Sequence, residues 1–306
     1  MNTLQMQQEN YLRYCEFQKR LDYKTIKAYR IDLTQFANQI GVGELSLVTP
    51  SILENYIVSL HQSYKAKTVK RKIACVKAFF HYLEYRDVIK NNPFNKMQIK
   101  FREPVIIPKT IPLHTIERLL KKIYQQRQQA NTVFQQKNAL RDAAMIELLF
   151  ATGMRISELC SLQKEAVNLE ERTVLIYGKG SKERRIQIGN EAVVRVLKEY
   201  EQSFHSEIQS SPYFFVNQNG SPVSDQAIRR MINKYTSLAA IEQHITPHMF
   251  RHTFATSLLE ADVDIRYIQE MLGHSSINVT EIYTHVAMAK QRDILTTKHP
   301  RKDFCL

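Results

Sequence analysis

A handful of residues in the second half of the chain have the types that phosphoryl transfer needs. Arg155 sits in Ala151-Thr152-Gly153-Met154-Arg155, just past an apolar run. His248 and Arg251 lie three residues apart in Thr246-Pro247-His248-Met249-Phe250-Arg251, so a helix puts them one turn apart on one face. His274 follows Gly273, and Tyr283 comes nine residues later. Singly, each is unremarkable: a lone arginine is usually a surface or ion-pair residue, and a lone tyrosine is usually core or rim. Together they form a set. Attack on a phosphodiester requires neutralised non-bridging oxygens, a held nucleophile and a proton for the departing oxygen. Two arginines can clamp a phosphate through paired N–H groups, a histidine exchanges protons near neutral pH, and a held tyrosine hydroxyl is a competent nucleophile. The sequence offers no acidic cluster and no nucleotide-binding loop, so these residues fit a route without metal or cofactor.

The elements that must position them are mostly helical. In residues 24–36, Ile26, Tyr29, Leu33 and Phe36 form an amphipathic stripe. Thr49-Pro50 predicts a helix start, with a side-chain cap and a proline at the first helical position. A third helix is expected over residues 67–85, with Val69, Ile73, Val76, Phe80 and Leu83 on one face and Lys67, Lys70, Arg71 and Lys77 on the other. Residues 103–112 carry three prolines and no helical period, which predicts a linker between two domains. Beyond it, helices are expected at 113–124, 140–150, 190–204, 224–237, 247–260, 264–272, 275–284 and 287–296. The β-branched run 173–177 and the run 185–188, joined through Gly178-Lys179-Gly180-Ser181, predict a hairpin. A Gln-rich stretch, 125–136, is expected to be a helix end or a loop without assigned chemistry. The fold class is therefore mainly α (α+β): a helical N-terminal domain and a mostly helical second domain with a small antiparallel β-sheet.

Composition narrows the partner. The net charge is +13, and a strongly basic chain usually meets a polyanion, with nucleic acid the default. Residues 61–102 hold eleven Lys/Arg against Glu84 and Asp87. Simple solvation could explain a lysine-rich helix face, but so few interleaved carboxylates favour a phosphate-facing one. The four cysteines show no metal or disulfide spacing. No run approaches the roughly 18–20 apolar residues of a membrane span, and the first residues lack a signal-peptide pattern, so a cytoplasmic protein is expected.

Residues 151–159, the turn Gly178-Lys179-Gly180-Ser181-Lys182-Glu183-Arg184, the block 246–256 and residues 271–286 closely resemble the catalytic domain of tyrosine recombinases, in family-like order. The whole chain resembles their bacterial Xer-like subgroup. Thr25, Tyr29, Asp32, Leu33 and Phe36 resemble the opening helices of the family's SAM-like core-binding domain. The resemblance divides the chain into a DNA-binding domain (1–102), the linker (103–112), a catalytic domain (113–286) and a tail (287–306) that docks on a neighbouring protomer.

The roles that follow come from the resemblance. Arg155 and Arg251 bind the scissile phosphate and stabilise its pentavalent transition state. His248 takes the tyrosine proton or bonds the phosphate, His274 donates to a phosphate oxygen, and Tyr283 attacks to give a 3′-phosphotyrosyl enzyme. Lys179 protonates the leaving 5′ oxygen, with Lys182 its competitor in the same turn. Glu158 supports the site from behind. Arg229 and Arg230 resemble family phosphate contacts, although solvation explains them equally well; Lys67, Lys70, Arg71 and Lys77 are candidate DNA-backbone contacts from their charge and shared helix face rather than from the resemblance. His252 points about 100° away from Arg251 on a helix and is expected to be structural. Met154, Glu281 and Ala261-Asp262 depart from the commonest family residues, and none removes a reactive group.

The expected partner is duplex DNA with an inverted-repeat core site, held in a homo-tetramer or in a hetero-tetramer with a second recombinase. The expected activity is site-specific strand exchange, serving DNA integration and excision or chromosome and plasmid dimer resolution. Relaxation of the type IB topoisomerase kind, and a non-catalytic DNA-binding regulator, are the competing readings.

Overall fold

The computed structural model describes residues 3–99, 109–178 and 183–273. It divides into two units, residues 1–106 and 107–306.

The first unit is built from four helices, α1 (Leu4–Arg13), α2 (Tyr23–Ile40), α3 (Pro50–Ser63) and α4 (Ala66–Tyr85). A π-helical turn, Tyr14–Gln18, extends α1, and 3-10 turns lie at Leu45–Leu47 and Pro93–Lys96. Local chemistry sets the boundaries. Asp22 caps α2 by accepting the Lys24 N–H at 2.7 Å, and Gly41 ends it at φ +64°, in the left-handed region open to glycine. Thr49 caps α3 with Pro50 in its first turn, as the sequence predicts. The stripes at Ile26, Leu33 and Phe36 and at Val69, Ile73, Val76, Phe80 and Leu83 are all buried. The Phe36 ring meets Tyr56 edge-on at 4.9 Å and Phe80 at 6.1 Å.

Lys72 shares the phase of the apolar stripe and is buried with it. Its ammonium lies 3.1 Å from the wholly buried Asp32 carboxylate and also bonds the Gln35 side chain. Arg71 reaches the same carboxylate from the solvent side.

In the second unit α5 (Leu113–Gln128), α6 (Val133–Thr152) and α7 (Ile156–Cys160) precede the sheet. Strands β1 (Val167–Asn168), β2 (Thr173–Tyr177) and β3 (Glu183–Gln187) follow, then α8 (Glu191–Ser203), α9 (His205–Gln209), α10 (Asp225–Leu238), α11 (Pro247–Glu260) and α12 (Ile265–Leu272). The sheet is antiparallel in the order β1-β2-β3, with Val174 opposite both Val167 and Ile186. The mainly helical fold with one small antiparallel sheet is the one expected from sequence.

The expected helix at 140–150 is longer, because Thr132 caps α6 by accepting the Gln135 N–H at 3.2 Å. The Gln-rich stretch thus splits between the end of α5, a short break and the start of α6. Along α6, Ala143, Ala144, Ile146, Leu148 and Leu149 are all wholly buried, with α5, α8 and α11 packed around it. A helix apolar on most sides carries little amphipathic period. Tyr200, Phe204, Phe214 and Phe215 close a second part of the core with ring separations of 4.8–5.5 Å. The buried Tyr200 hydroxyl donates to the Phe214 carbonyl at 2.9 Å and accepts the Val216 N–H at 3.0 Å.

The Asp32–Lys72 pair yields a stability prediction. Removing one member of a buried ion pair strands the other, at a cost of about 3–5 kcal/mol, whereas removing both charges is far milder. Asp32→Ala is expected to destabilise the first unit by about that amount in urea denaturation. Adding Lys72→Met to Asp32→Ala should restore part of the loss.

Candidate active site

The site grows from the end of α6. Gly153 takes φ +59°, and a Cβ there would lie 2.5 Å from Phe254 Cδ1 and 2.9 Å from Leu272 Cδ2. Both the backbone angle and the contact demand glycine, so α6, α11 and α12 converge on a residue without a side chain. Two residues on, Arg155 is extended (φ −75°, ψ 149°) and precedes α7. Its backbone N–H donates to Glu158 at 2.8 Å, and its Nη1 donates to the other oxygen of that carboxylate at 2.8 Å.

Glu158 is buried and takes a second arginine. Arg184 lies on β3 opposite Ile176, two residues from the buried Ile186 and hence on the same inward face. Its Nη2 and Nη1 reach the two Glu158 oxygens at 2.7 and 3.1 Å, and its Nε donates to the Met271 carbonyl at 2.8 Å. Burial pushes the Glu158 carboxyl up, but the bonds from Arg184 and Arg155 outweigh it and hold the pKa below its ordinary value. The carboxylate stays charged.

Arg251, on α11, is only 6% exposed. Its Nη1 donates to the Gly153 carbonyl at 2.8 Å and its Nη2 to the Leu272 carbonyl at 2.7 Å. These oxygens belong to the C-terminal ends of α6 and α12, where the helix leaves carbonyls without internal partners and carries partial negative charge. A guanidinium meets both requirements, and its position is set by two helix ends. Gly273, at φ +65°, caps α12.

His248 lies in the first turn of α11, one turn before Arg251, and keeps exposed surface. Loss of hydration to the surrounding protein, together with the positive charges of Arg229, Arg251 and Arg155, lowers its pKa below 6.5, against a weaker pull from Asp225. The imidazole is therefore neutral at neutral pH and free to take a proton. His252 points its Nδ1 inward, where it has no hydrogen-bond partner among the described residues.

The structure thus gathers Arg155, Arg251, His248 and Glu158 around the Gly153 turn, and Arg229 on α10 is close enough to act on His248. Arg230 is exposed on the same helix. Lys67, Lys70 and Lys77 are exposed on α4 of the first unit, and Arg71 there is ion-paired to Asp32. Lys179, Lys182, His274, Glu281, Tyr283 and the tail 287–306 lie outside the described residues, as does most of the linker. Arg184 is a further residue of the site, outside the set expected from the sequence. Its signal was the alternation of β3: a residue two before an inward-facing isoleucine faces inward too, and a buried arginine needs a counter-charge. Among the described residues no cluster of His, Cys, Asp or Glu could hold a metal ion, and no helix is long and apolar enough to cross a membrane.

Residues 112–290 match the Phage integrase family, and residues 9–87 match the phage integrase N-terminal SAM-like domain. A tyrosine recombinase of Agathobacter rectalis is 64% identical over 304 residues, covering 99% of each chain. Tyrosine recombinase XerC of Bacillus pumilus is 31% identical over 300 residues, covering 95% of each. Among solved structures, XerH site-specific recombinase bound to its difH substrate shares the fold, with a TM-score of 0.70 at 21% identity over 94% of this chain and 83% of that one. With the family match spanning most of the second unit and relatives aligned end to end, the chain belongs to the phage integrase family, the tyrosine recombinases.

Proposed function

We propose that this chain is a site-specific DNA recombinase that breaks and rejoins duplex DNA through a covalent bond to Tyr283. The observation that carries the reading is the convergence of Arg155 and Arg251, distant in sequence, on the Gly153 turn with His248 one helical turn away.

In the proposed reaction the Tyr283 hydroxyl oxygen attacks the scissile phosphorus and its proton passes to His248, which is poised neutral. Arg155 and Arg251, with His274, bind the non-bridging oxygens as charge builds on them. The bond to the 5′ oxygen breaks, and Lys179 supplies that oxygen with its proton. The product is a 3′-phosphotyrosyl enzyme and a free 5′ hydroxyl. Because the phosphotyrosine keeps the bond energy, a partner 5′ hydroxyl can attack it and reverse the steps without a nucleotide cofactor.

Residues 1–102 act as the core-binding domain, with Lys67, Lys70, Arg71 and Lys77 toward the DNA backbone, while Arg229 and Arg230 contribute from the catalytic domain at 113–286. Residues 103–112 link the two, and the tail at 287–306 docks on a neighbouring protomer in a tetramer on two synapsed inverted-repeat sites. The proposed setting is the cytoplasm. The likeness to XerC supports dimer resolution in chromosome partition and cell division as the biological context, beside integration of a mobile element.

Covalent trapping tests the reading. Protein incubated with nicked, fragmented host DNA and denatured in detergent should retain DNA enriched at one inverted-repeat sequence, and Tyr283→Phe should retain none. Attachment without sequence enrichment, coupled to relaxation of any plasmid, would instead indicate a topoisomerase. Arg155→Ala and Arg251→Ala should each slow formation of the covalent complex by about 100- to 1,000-fold, the usual cost of losing one transition-state charge donor. Because His248 must be neutral to accept a proton and its pKa is lowered, the midpoint of the acid limb of the cleavage rate should lie below pH 6.5, the ordinary value for a histidine. His248→Asn should lose that acid limb along with most of the rate.

A further inference from the structure

Arg184 has no part in the reaction just described, yet it is the residue that joins the pieces of the site. Its side chain is 8% exposed, and all three of its nitrogens donate: two to Glu158 and one to the Met271 carbonyl. Stability alone does not account for this arrangement. A buried ion pair gains little over apolar packing, and Ile186 shows that the same strand face accepts a plain hydrophobe.

What the pair does is spread one carboxylate over two guanidiniums. Glu158 also takes the backbone N–H and Nη1 of Arg155. Paired with Glu158 alone, Arg155 would be neutralised and a poor partner for a phosphate. With Arg184 sharing that carboxylate, the three side chains keep a net charge of about +1, and the fork of Arg184 sets the plane in which Glu158 holds Arg155. At its other end Arg184 grips the Met271 carbonyl, next to the Leu272 carbonyl held by Arg251, so two consecutive carbonyls at the end of α12 are bound by arginines from two elements. The Arg184 Cδ also lies 3.1 Å from where a Cβ on Gly273 would stand. In sequence, Gly273 directly precedes His274, and β3 begins directly after residues 179–182.

We propose that Arg184 is a positioning residue for strand cleavage: through Glu158 it orients Arg155 and preserves its positive charge for the phosphate, and through Met271 it fixes the end of α12. The inference rests on the recombinase reading above.

The test uses the full chain, in excess over nicked, fragmented host DNA, and follows covalent complex against time beside non-covalent DNA retention and thermal unfolding. In Arg184→Ala the saturated rate should fall about 100-fold, the scale expected when a reacting group is displaced by about 1 Å, while retention changes less than threefold. Arg184→Lys keeps the charge without the fork and should recover only part of the rate. Because Arg184 acts through Glu158, the losses in Arg184→Ala and Glu158→Gln should combine to much less than their product in the double variant. Ile186→Val, a destabilising control on the same strand, should cleave at the wild-type rate. An Arg184→Ala protein that cleaves like wild type overturns the proposal, and so do multiplicative losses or a rate that merely tracks the unfolding temperature. Absence of covalent DNA with the wild type overturns the recombinase reading and the proposal with it. If Arg184→Ala does not fold, Arg184→Lys compared with Ile186→Val decides the matter by the same criteria.

Discussion

Two guanidiniums repel each other, and the second unit brings Arg155 and Arg184 together only because the Glu158 carboxylate lies between them. That carboxylate is buried, so its own desolvation must be offset, and four arginine hydrogen bonds do so. Much of the local architecture follows. α7 begins where Glu158 reaches back to the Arg155 backbone, and β3 must present Arg184 inward. α12 must end where its Met271 carbonyl can be reached from that strand. Arg251 applies the same logic with helix carbonyls in place of a carboxylate. The result is a cluster of positive charge held by its neighbours before any anion arrives. For phosphate chemistry this matters, since donors already in place need not reorganise as charge develops.

The first unit solves a different problem. A basic surface helix must still bury one face, and α4 places Lys72 in that face. Asp32 answers it from α2, with Gln35 completing the contact and Arg71 closing it from outside. The charge of α4 is thus divided: part holds the helix to its neighbours, while Lys67 and Lys77 are exposed to solvent.

Where burial is one-sided, the amino-acid pattern declares the fold. The stripes of α2 and α4 and the Thr49-Pro50 start of α3 could be read directly, and so could the strands of the hairpin. Other elements hide for physical reasons. α6 is buried on most sides and has no polar face to set its phase, and its true start lies in a glutamine-rich stretch with no apolar signal. β1 is two residues long, too short for alternation to show. α1 has a glutamine-rich sequence in which even Gln7 and Gln8 are buried. At the site, the spacing of His248 and Arg251 is a property of one helix and so was legible. The bond from Arg251 to Gly153 is tertiary and spans 98 residues. Glu158 and Arg184 are 26 residues apart, and only the inward phase of β3 hints that they meet. The family resemblance supplied roles for individual residues; the partners that hold those residues in place came from packing.

The two oxygens that grip Arg251 are main-chain atoms. No point substitution can delete a carbonyl, so the residues at 153 and 272 can disturb this arginine only by shifting the helices that carry them. That makes the clamp tolerant of drift in the side chains around it and vulnerable at one place, where Gly153 allows α6, α11 and α12 to meet. A change of side chain around the clamp leaves those two oxygens where they are, whereas a change in the spacing of the three helices moves both at once.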